Sequence, residues 1–208
     1  MGRYTGPVCR LCRREGLKLF LKSTRCDTPK CAVERKEYPP GMHTMKRRKS
    51  TDYALRLREK QKVKRYYGVY ERQFRRYLEI AERLPGNTGN ILMSLLERRL
   101  DNIVHRLGFA GSRAQARQLV NHGHLRVNGK KVDIPSYLVK AGDTITVKNR
   151  PKSLRFVRTV QEEIRPNVPD FLSVTTGDNP EGKVVRLPEI GDVSLPVQPA
   201  LIIELVSK

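Results

Sequence analysis

All four cysteines of this 208-residue chain fall between positions 9 and 31, spaced C-x2-C-x13-C-x4-C, and none follows. Two close pairs, Cys9/Cys12 and Cys26/Cys31, joined by a short segment have the form of two metal-binding knuckles. A disulfide framework belongs to oxidising compartments, yet the opening MGRYTGPVCR is charged from its third residue and leads into no apolar run of signal-peptide length. In a cytoplasmic setting the thiols stay reduced, and thiolates held together need a cation. One structural Zn²⁺ in a closed tetrahedral site is the expected cofactor, with no open position for chemistry. An iron–sulfur cluster uses the same four thiolates and is the alternative; four unligated or redox-active cysteines are the plain reading. The apolar content here is small, chiefly Val8, Leu11, Leu17, Leu19, Phe20 and Leu21. Metal binding, on the order of 10 kcal/mol, would supply the folding free energy that such a segment lacks.

The charge points to a partner. Forty-two Lys and Arg against 21 Asp and Glu give a net charge of +21, far beyond what solubility requires. Residues 1–80 hold 23 basic and 8 acidic side chains, residues 81–150 hold 12 and 5, and residues 151–208 hold 7 and 8. A basic helix on a membrane would give a local patch; positive charge spread over the first two thirds, interleaved with Tyr, suits nucleic acid. No apolar run reaches the length of a membrane span.

Along the chain, Pro39, Pro40 and Gly41 break any regular element, and Lys46, Arg47, Arg48 and Lys49 form a continuous basic run. Thr51 or Asp52 caps an expected helix that ends near Gly68. Tyr70, Phe74, Tyr77, Leu78 and Ala81 recur at helical spacing and predict a second helix with one buried face. LPGNTGN lacks the Gly-Lys-Ser/Thr ending of a phosphate loop and reads as a turn. One helix is expected from Leu92 to Leu107, and a short one over GSRAQARQLVNHG with Ser112 as its N-cap. HLRVNGKKVDI carries Asn128-Gly129 between alternating apolar residues, a hairpin signal. KAGDTITVK, FLSVTT, GKVVRL and ALIIELV read as strands and SLRFVRTVQEEI as a helix. The near-neutral tail reads as scaffold.

The stretch LERRLDNIVHRLGFAGSRAQARQLVNHGHLRVNGKKVDIPSYLVKAGDTI closely resembles the small RNA-binding module named after ribosomal protein S-four. REGLKLFLKS, LREKQKVKRYYGVYERQFRRY, GNTGNILMSLLERRLDN and LIIELVSK extend the resemblance to the bacterial S-four family over the whole chain. The implied fold is α+β: a four-cysteine metal-binding segment, a helical domain, an inserted small α/β module and a C-terminal β-rich tail. The expected boundaries are 1–45, 46–96, 97–159 and 160–208. The resemblance implies a primary binder of the 5′ domain of small-subunit ribosomal RNA, which nucleates assembly of the subunit body. It also implies neighbouring ribosomal proteins including S-five, and messenger RNA entering beside Lys46, Arg47, Arg48 and Lys49, with influence on decoding fidelity.

The S-four-type module also occurs in pseudouridine synthases, and Asp101 in RRLD resembles their catalytic motif. Fewer than about sixty residues follow Arg150, too few for a catalytic domain with its own pocket, so Asp101 reads as salt-bridging and no small-molecule substrate is expected. A stand-alone RNA chaperone would leave the helical region 50–85 without a purpose. His122 and His124 read as exposed or RNA-facing, and Tyr66, Tyr67 and Tyr70 mainly as aromatic core. The expected mechanism is shape recognition through phosphate and sugar contacts. Its candidate residues are Lys62, Arg65, Arg72, Arg76, Arg99, Arg113, Arg117, Arg126 and Lys130, with Arg113 and Arg117 on one edge of a helix facing the same phosphate track.

Overall fold

The computed structural model describes residues 2–42, 51–164, 167–175, 177 and 179–206; the run Lys46–Lys49 lies outside them. The first helices are α1 (Cys9–Glu15), α2 (Ala32–Arg35), α3 (Asp52–Tyr67), α4 (Glu71–Arg83) and α5 (Thr88–Glu97). There follow α6 (Leu100–Arg106), α7 (Arg113–Asn121), α8 (Pro151–Ile164) and α9 (Pro199–Val206). The strands are β1 (Leu125–Val127), β2 (Lys130–Lys131), β3 (Thr144–Val147), β4 (Leu172–Thr175) and β5 (Glu181–Val184). No described helix is long and apolar enough to cross a membrane. The chain divides into two compact units, residues 1–92 with 195–208, and residues 93–194.

In the first unit α3 begins where Thr51 accepts a hydrogen bond from the Ala54 amide. Its Val63, Tyr66 and Tyr67 are buried, the two Tyr rings meeting edge to face at 4.9 Å. Helix α4 buries the expected stripe of Phe74, Tyr77, Leu78 and Ala81, whereas Tyr70, in the N-cap position, is 50% exposed. The apolar run ALIIELV is a helix and corrects the expected strand. Pro199 opens it, in the first turn, where no N–H has an intrahelical acceptor to lose. Ile202 is buried; α9 is tied to α3 by Arg56–Glu204 at 2.5 Å, and the segment leading into it by Lys62 Nζ to Pro196 O at 2.8 Å and the Gln198 amide to Glu59 at 3.1 Å. The tail is thus two strands and a helix; a short apolar run does not by itself separate strand from buried helix.

The second unit is an antiparallel sheet in the order β2-β1-β3-β5-β4 with helices packed on one face. Asn128 and Gly129 both have positive φ, 49° and 76°, the backbone of a type I′ turn that sets the register Val127↔Lys130 and Arg126↔Lys131. The core joins Leu100, Ile103 and Val104 of α6, Leu107 just past its end, and Ala116 and Val120 of α7 to Leu125, Val127, Ile145 and Val184 of the sheet. Each of the larger of these side chains contributes roughly 2 kcal/mol by leaving water. Strand β5 lies so close to the C-terminal end of α6 that a Cβ on Gly182 would stand 2.4 Å from a methyl carbon of Leu107, the residue after it.

The helix expected from Leu92 to Leu107 is two. Arg99 is extended (φ −61°, ψ 135°), bridges Leu138, and is followed by Leu100 N donating to Tyr137 O at 2.8 Å. A long-range backbone pairing interrupts a locally helical sequence here, which helical periodicity does not reveal.

Candidate nucleic-acid interface

The interruption of the helix at Arg99 places a polar cluster inside the second unit. The Arg99 guanidinium is 0% exposed and forks onto Asp101, Nε to Oδ1 at 3.0 Å and Nη2 to Oδ2 at 2.6 Å. Arg117 reaches the same Asp101 Oδ2 at 3.4 Å, and Arg113 Nε donates to Asn102 Oδ1 at 2.8 Å. Asn102 donates to Glu97 Oε2 at 2.6 Å and to Glu97 O at 2.9 Å, while Arg106 pairs with both Glu97 oxygens. Charged groups this deep are tolerated when paired and hydrogen-bonded. The cluster fixes the end of α5, α6 and α7 to one another.

The arginines expected to face RNA around α7 are engaged inside the folded unit. Arg113 and Arg117 are only 8% and 9% exposed and turn inward to Asn102 and Asp101, and Arg99 presents no surface at all. Their spacing on the helix is as read, but the edge they share faces buried acceptors. Asp101 is held between two guanidinium groups, as a salt-bridging residue. Sequence reasoning missed Glu97, Asn102 and Arg106; the available signal was ERRLDN, polar residues crowded among helical apolar positions. His105 lies beside the cluster with Nδ1 3.1 Å from Ala110 O. Burial, then the charges of Arg113 and Arg106, outweigh that bond and push its pKa down to about 4.

The exposed cations sit elsewhere. Arg126, Lys130 and Lys131 project from the hairpin. The pairing Lys131↔Arg126↔Thr146↔Glu181 places Arg126 and Lys131 on the polar face of the sheet, opposite the core, while Lys130 stands beside the turn. Asn128 locks that hairpin to β3, donating to Asp143 at 2.8 Å and accepting from the Thr144 amide at 2.9 Å. The cations therefore stand on a stiff support. In the first unit, Arg72, Arg75 and Arg76 line the outer side of α4. Lys62 is buried, donating to Pro196 O and pairing with Glu59, so its ammonium is already engaged within the fold. Arg65 is half-buried against Glu15 of α1. Glu71 gathers Lys60 and Lys64 at 2.6 Å and Arg75 at 3.2 Å. Partial burial works against its charge, but the lysine hydrogen bonds outweigh burial and hold the carboxyl down to about 2.

Near the N-terminus Cys12, Cys26 and Cys31 are buried, Cys9 is half-buried, and none is in a disulfide. All four line one small cavity of about 20 Å³ with Val8, Leu21, Lys22 and Val33. Burial first, and then the charges of neighbouring cysteines, push the Cys12 and Cys26 thiols up, against backbone hydrogen bonds from Leu19 and Lys22. Among the described residues no three His, Cys, Asp or Glu side chains already stand in metal-holding geometry. By donor type and shared cavity the four cysteines fit a thiolate-bound ion. Glu15 of α1, its carboxyl raised by burial in spite of Arg65 and Arg58, joins this segment to α3.

A family described as ribosomal protein S4/S9 N-terminal domain matches residues 3–97, and one described as S4 domain matches residues 98–145. The chain belongs to the ribosomal protein S4 family. It is 58% identical over 208 residues to the small ribosomal subunit protein uS4 of Thermoanaerobacter sp. (strain X514), with 100% of both chains covered. It is 56% identical to uS4A of Alkaliphilus oremlandii over 208 residues and 54% identical to uS4 of Thermus thermophilus over 210, again with 100% of both chains covered. The S4-domain match takes in α6, α7 and the hairpin: the buried arginine cluster and the exposed cations of the second unit.

Proposed function

We propose that the chain is a primary binder of the 5′ domain of small-subunit ribosomal RNA and helps to nucleate the body of the subunit. It is a structural constituent of the small ribosomal subunit, acts in the cytoplasm and is not an enzyme. The observation that carries the RNA reading is the division of labour among its arginines: Arg99, Arg113 and Arg117 hold the fold together, while Arg126, Lys130 and Lys131 stand exposed on a locked hairpin. Cations on a preorganised support match the phosphates of folded RNA without an ordering cost at each contact. The pseudouridine synthase reading gains nothing from Asp101, whose carboxylate is occupied by Arg99 and Arg117.

Three finer parts rest on the sequence and the family resemblance. Lys46, Arg47, Arg48 and Lys49 hold messenger phosphates where the messenger enters, and the S-five ribosomal protein is a neighbour. Cys9, Cys12, Cys26 and Cys31 hold one Zn²⁺, with an iron–sulfur cluster as the alternative; bound there, the ion would neutralise thiolate charge and cross-link the segment. The test of the main reading is a gel shift with a 5′-domain transcript, followed by reconstitution. Tight binding and cosedimentation with assembled small subunits are expected, and binding no stronger than to an unrelated RNA of equal length overturns it.

A further inference from the structure

The second unit contains a cleft of about 320 Å³ that the phosphate contacts above do not use. Gln115, Gln118 and Leu119 of α7 and Lys152, Ser153 and Phe156 of α8 line it, together with His122 and His124. Leu119 and Phe156 lean on the hydrophobic core and leave part of their surface to the cleft, forming an apolar floor. The Gln115 carbonyl is held by the Gly111 amide at 2.7 Å, so its contribution is N–H donors; Gln118, exposed, offers a donor and an acceptor.

The surroundings are cationic. His124 Nδ1 lies 2.9 Å from the buried Ser153 hydroxyl, and burial followed by the charges of His122, Arg150 and Lys148 lowers its pKa. The Lys131 stem covers Gly123, between the two histidines, closely enough that a Cβ there would meet its Cε at 2.5 Å. Lys152 lines the cleft itself. An inorganic anion would leave the aromatic floor unused, and an apolar peptide would leave the amides and cations unused. An aromatic face, amide groups for a base edge and cations for phosphate together describe a nucleotide. The volume is at the small end of ligand sites, room for one base and not for a duplex.

We propose that this cleft takes one unpaired nucleobase of the bound RNA, stacked on Phe156, its edge met by Gln115 and Gln118 and its flanking phosphates by Lys152 and Lys131. This rests on the RNA-binding reading above and adds to it recognition of a base outside the helices.

The experiment uses the full chain and two single-stranded probes of equal charge, a uridine octamer and an octamer of abasic ribose phosphates, with the 5′-domain transcript as a third ligand. Wild type should bind the uridine octamer about tenfold more tightly than the abasic one, the order of one stacked base. The double variant Gln118→Ala, Phe156→Leu should lose most of that preference and keep its affinity for the abasic octamer. Gln118→Ala alone, at an exposed position that spares the core, should lose part of it. With 4-thiouridine in the octamer, cross-linked peptides should contain residues 115–124 or 152–156. Equal binding of both octamers by wild type, an undiminished preference in the variants, or cross-links only elsewhere overturns the cleft while transcript binding stands. Loss of transcript binding by wild type overturns the RNA reading, and the cleft assignment with it.

Discussion

The Arg99 guanidinium and the Asp101 carboxylate, two residues apart, form a two-point ion pair from which solvent is almost fully excluded. The backbone break at Arg99 makes the pairing geometrically possible, since it turns the side chain back over the first turn of α6. Removing the acid would take from Arg99 its two-point carboxylate and from Arg117 one of its acceptors.

Asp101→Ala should therefore destabilise the second unit by about 3–5 kcal/mol, the range for breaking a buried pair. Arg117→Ala should cost less, since its contact with Asp101 is longer and it lies nearer the surface. Chemical denaturation monitored by circular dichroism checks both. Equal stability of wild type and Asp101→Ala would show that the cluster does not hold α6 and α7 in place.

His105 gives the fold a pH signature. Its folded pKa, about 4, lies below the ordinary 6.5, so the unfolded chain binds more protons between those values. The stability tied to neutral His105 is complete above pH 6.5 and is lost as pH falls towards 4, by roughly 3 kcal/mol. His105→Gln should flatten this part of the stability–pH curve, measured by urea melts at half-unit intervals. A wild-type curve already flat from pH 6.5 to 4 would contradict the buried neutral imidazole.

Gly182→Ala should destabilise by about 1–3 kcal/mol, because its methyl must displace Leu107, a core residue with no room to retreat. Leu107→Ala in the same chain should restore part of the loss relative to the sum of the two single changes. Thermal melts of the two single variants and the double variant complete the cycle; strict additivity would mean that the two residues do not meet.

Metal analysis of chain purified without oxygen should give about one zinc, the content of a closed four-cysteine site. Its removal should open the N-terminal segment to trypsin at Arg13, Arg14 and Arg25. Stoichiometric iron and sulfide would put a cluster in its place. No metal at all would leave the four thiols as a purely packed group.

Much of this architecture is legible in the residues. Ser112 and Thr51 as caps, Asn128-Gly129 as the hairpin turn, and the Phe74–Tyr77–Leu78–Ala81 stripe each follow from local chemistry and stand where they were expected. What local chemistry misses is set by distant partners. The Arg99 break depends on Tyr137 and Leu138, the helix at 199–206 on burial against α3, and the inward turn of Arg113 and Arg117 on Asn102 and Asp101. Helical spacing places two arginines on one edge; it does not say whether water or an acid waits there. Basic residues in a hairpin escape this ambiguity, because alternation sends Arg126 to the face opposite Leu125 and Val127.

On the proposed reading, exposed hairpin cations, and not the arginines of α7, meet the phosphates. The most direct measurement is the salt dependence of affinity for the 5′-domain transcript, in wild type and in Arg126→Ala, Lys130→Ala. Each lost phosphate contact should reduce the slope of log K against log salt by about one, so the double variant should lose about two units at unchanged stability. A slope equal to that of wild type, in a folded double variant, would contradict the assignment of these two residues to the RNA.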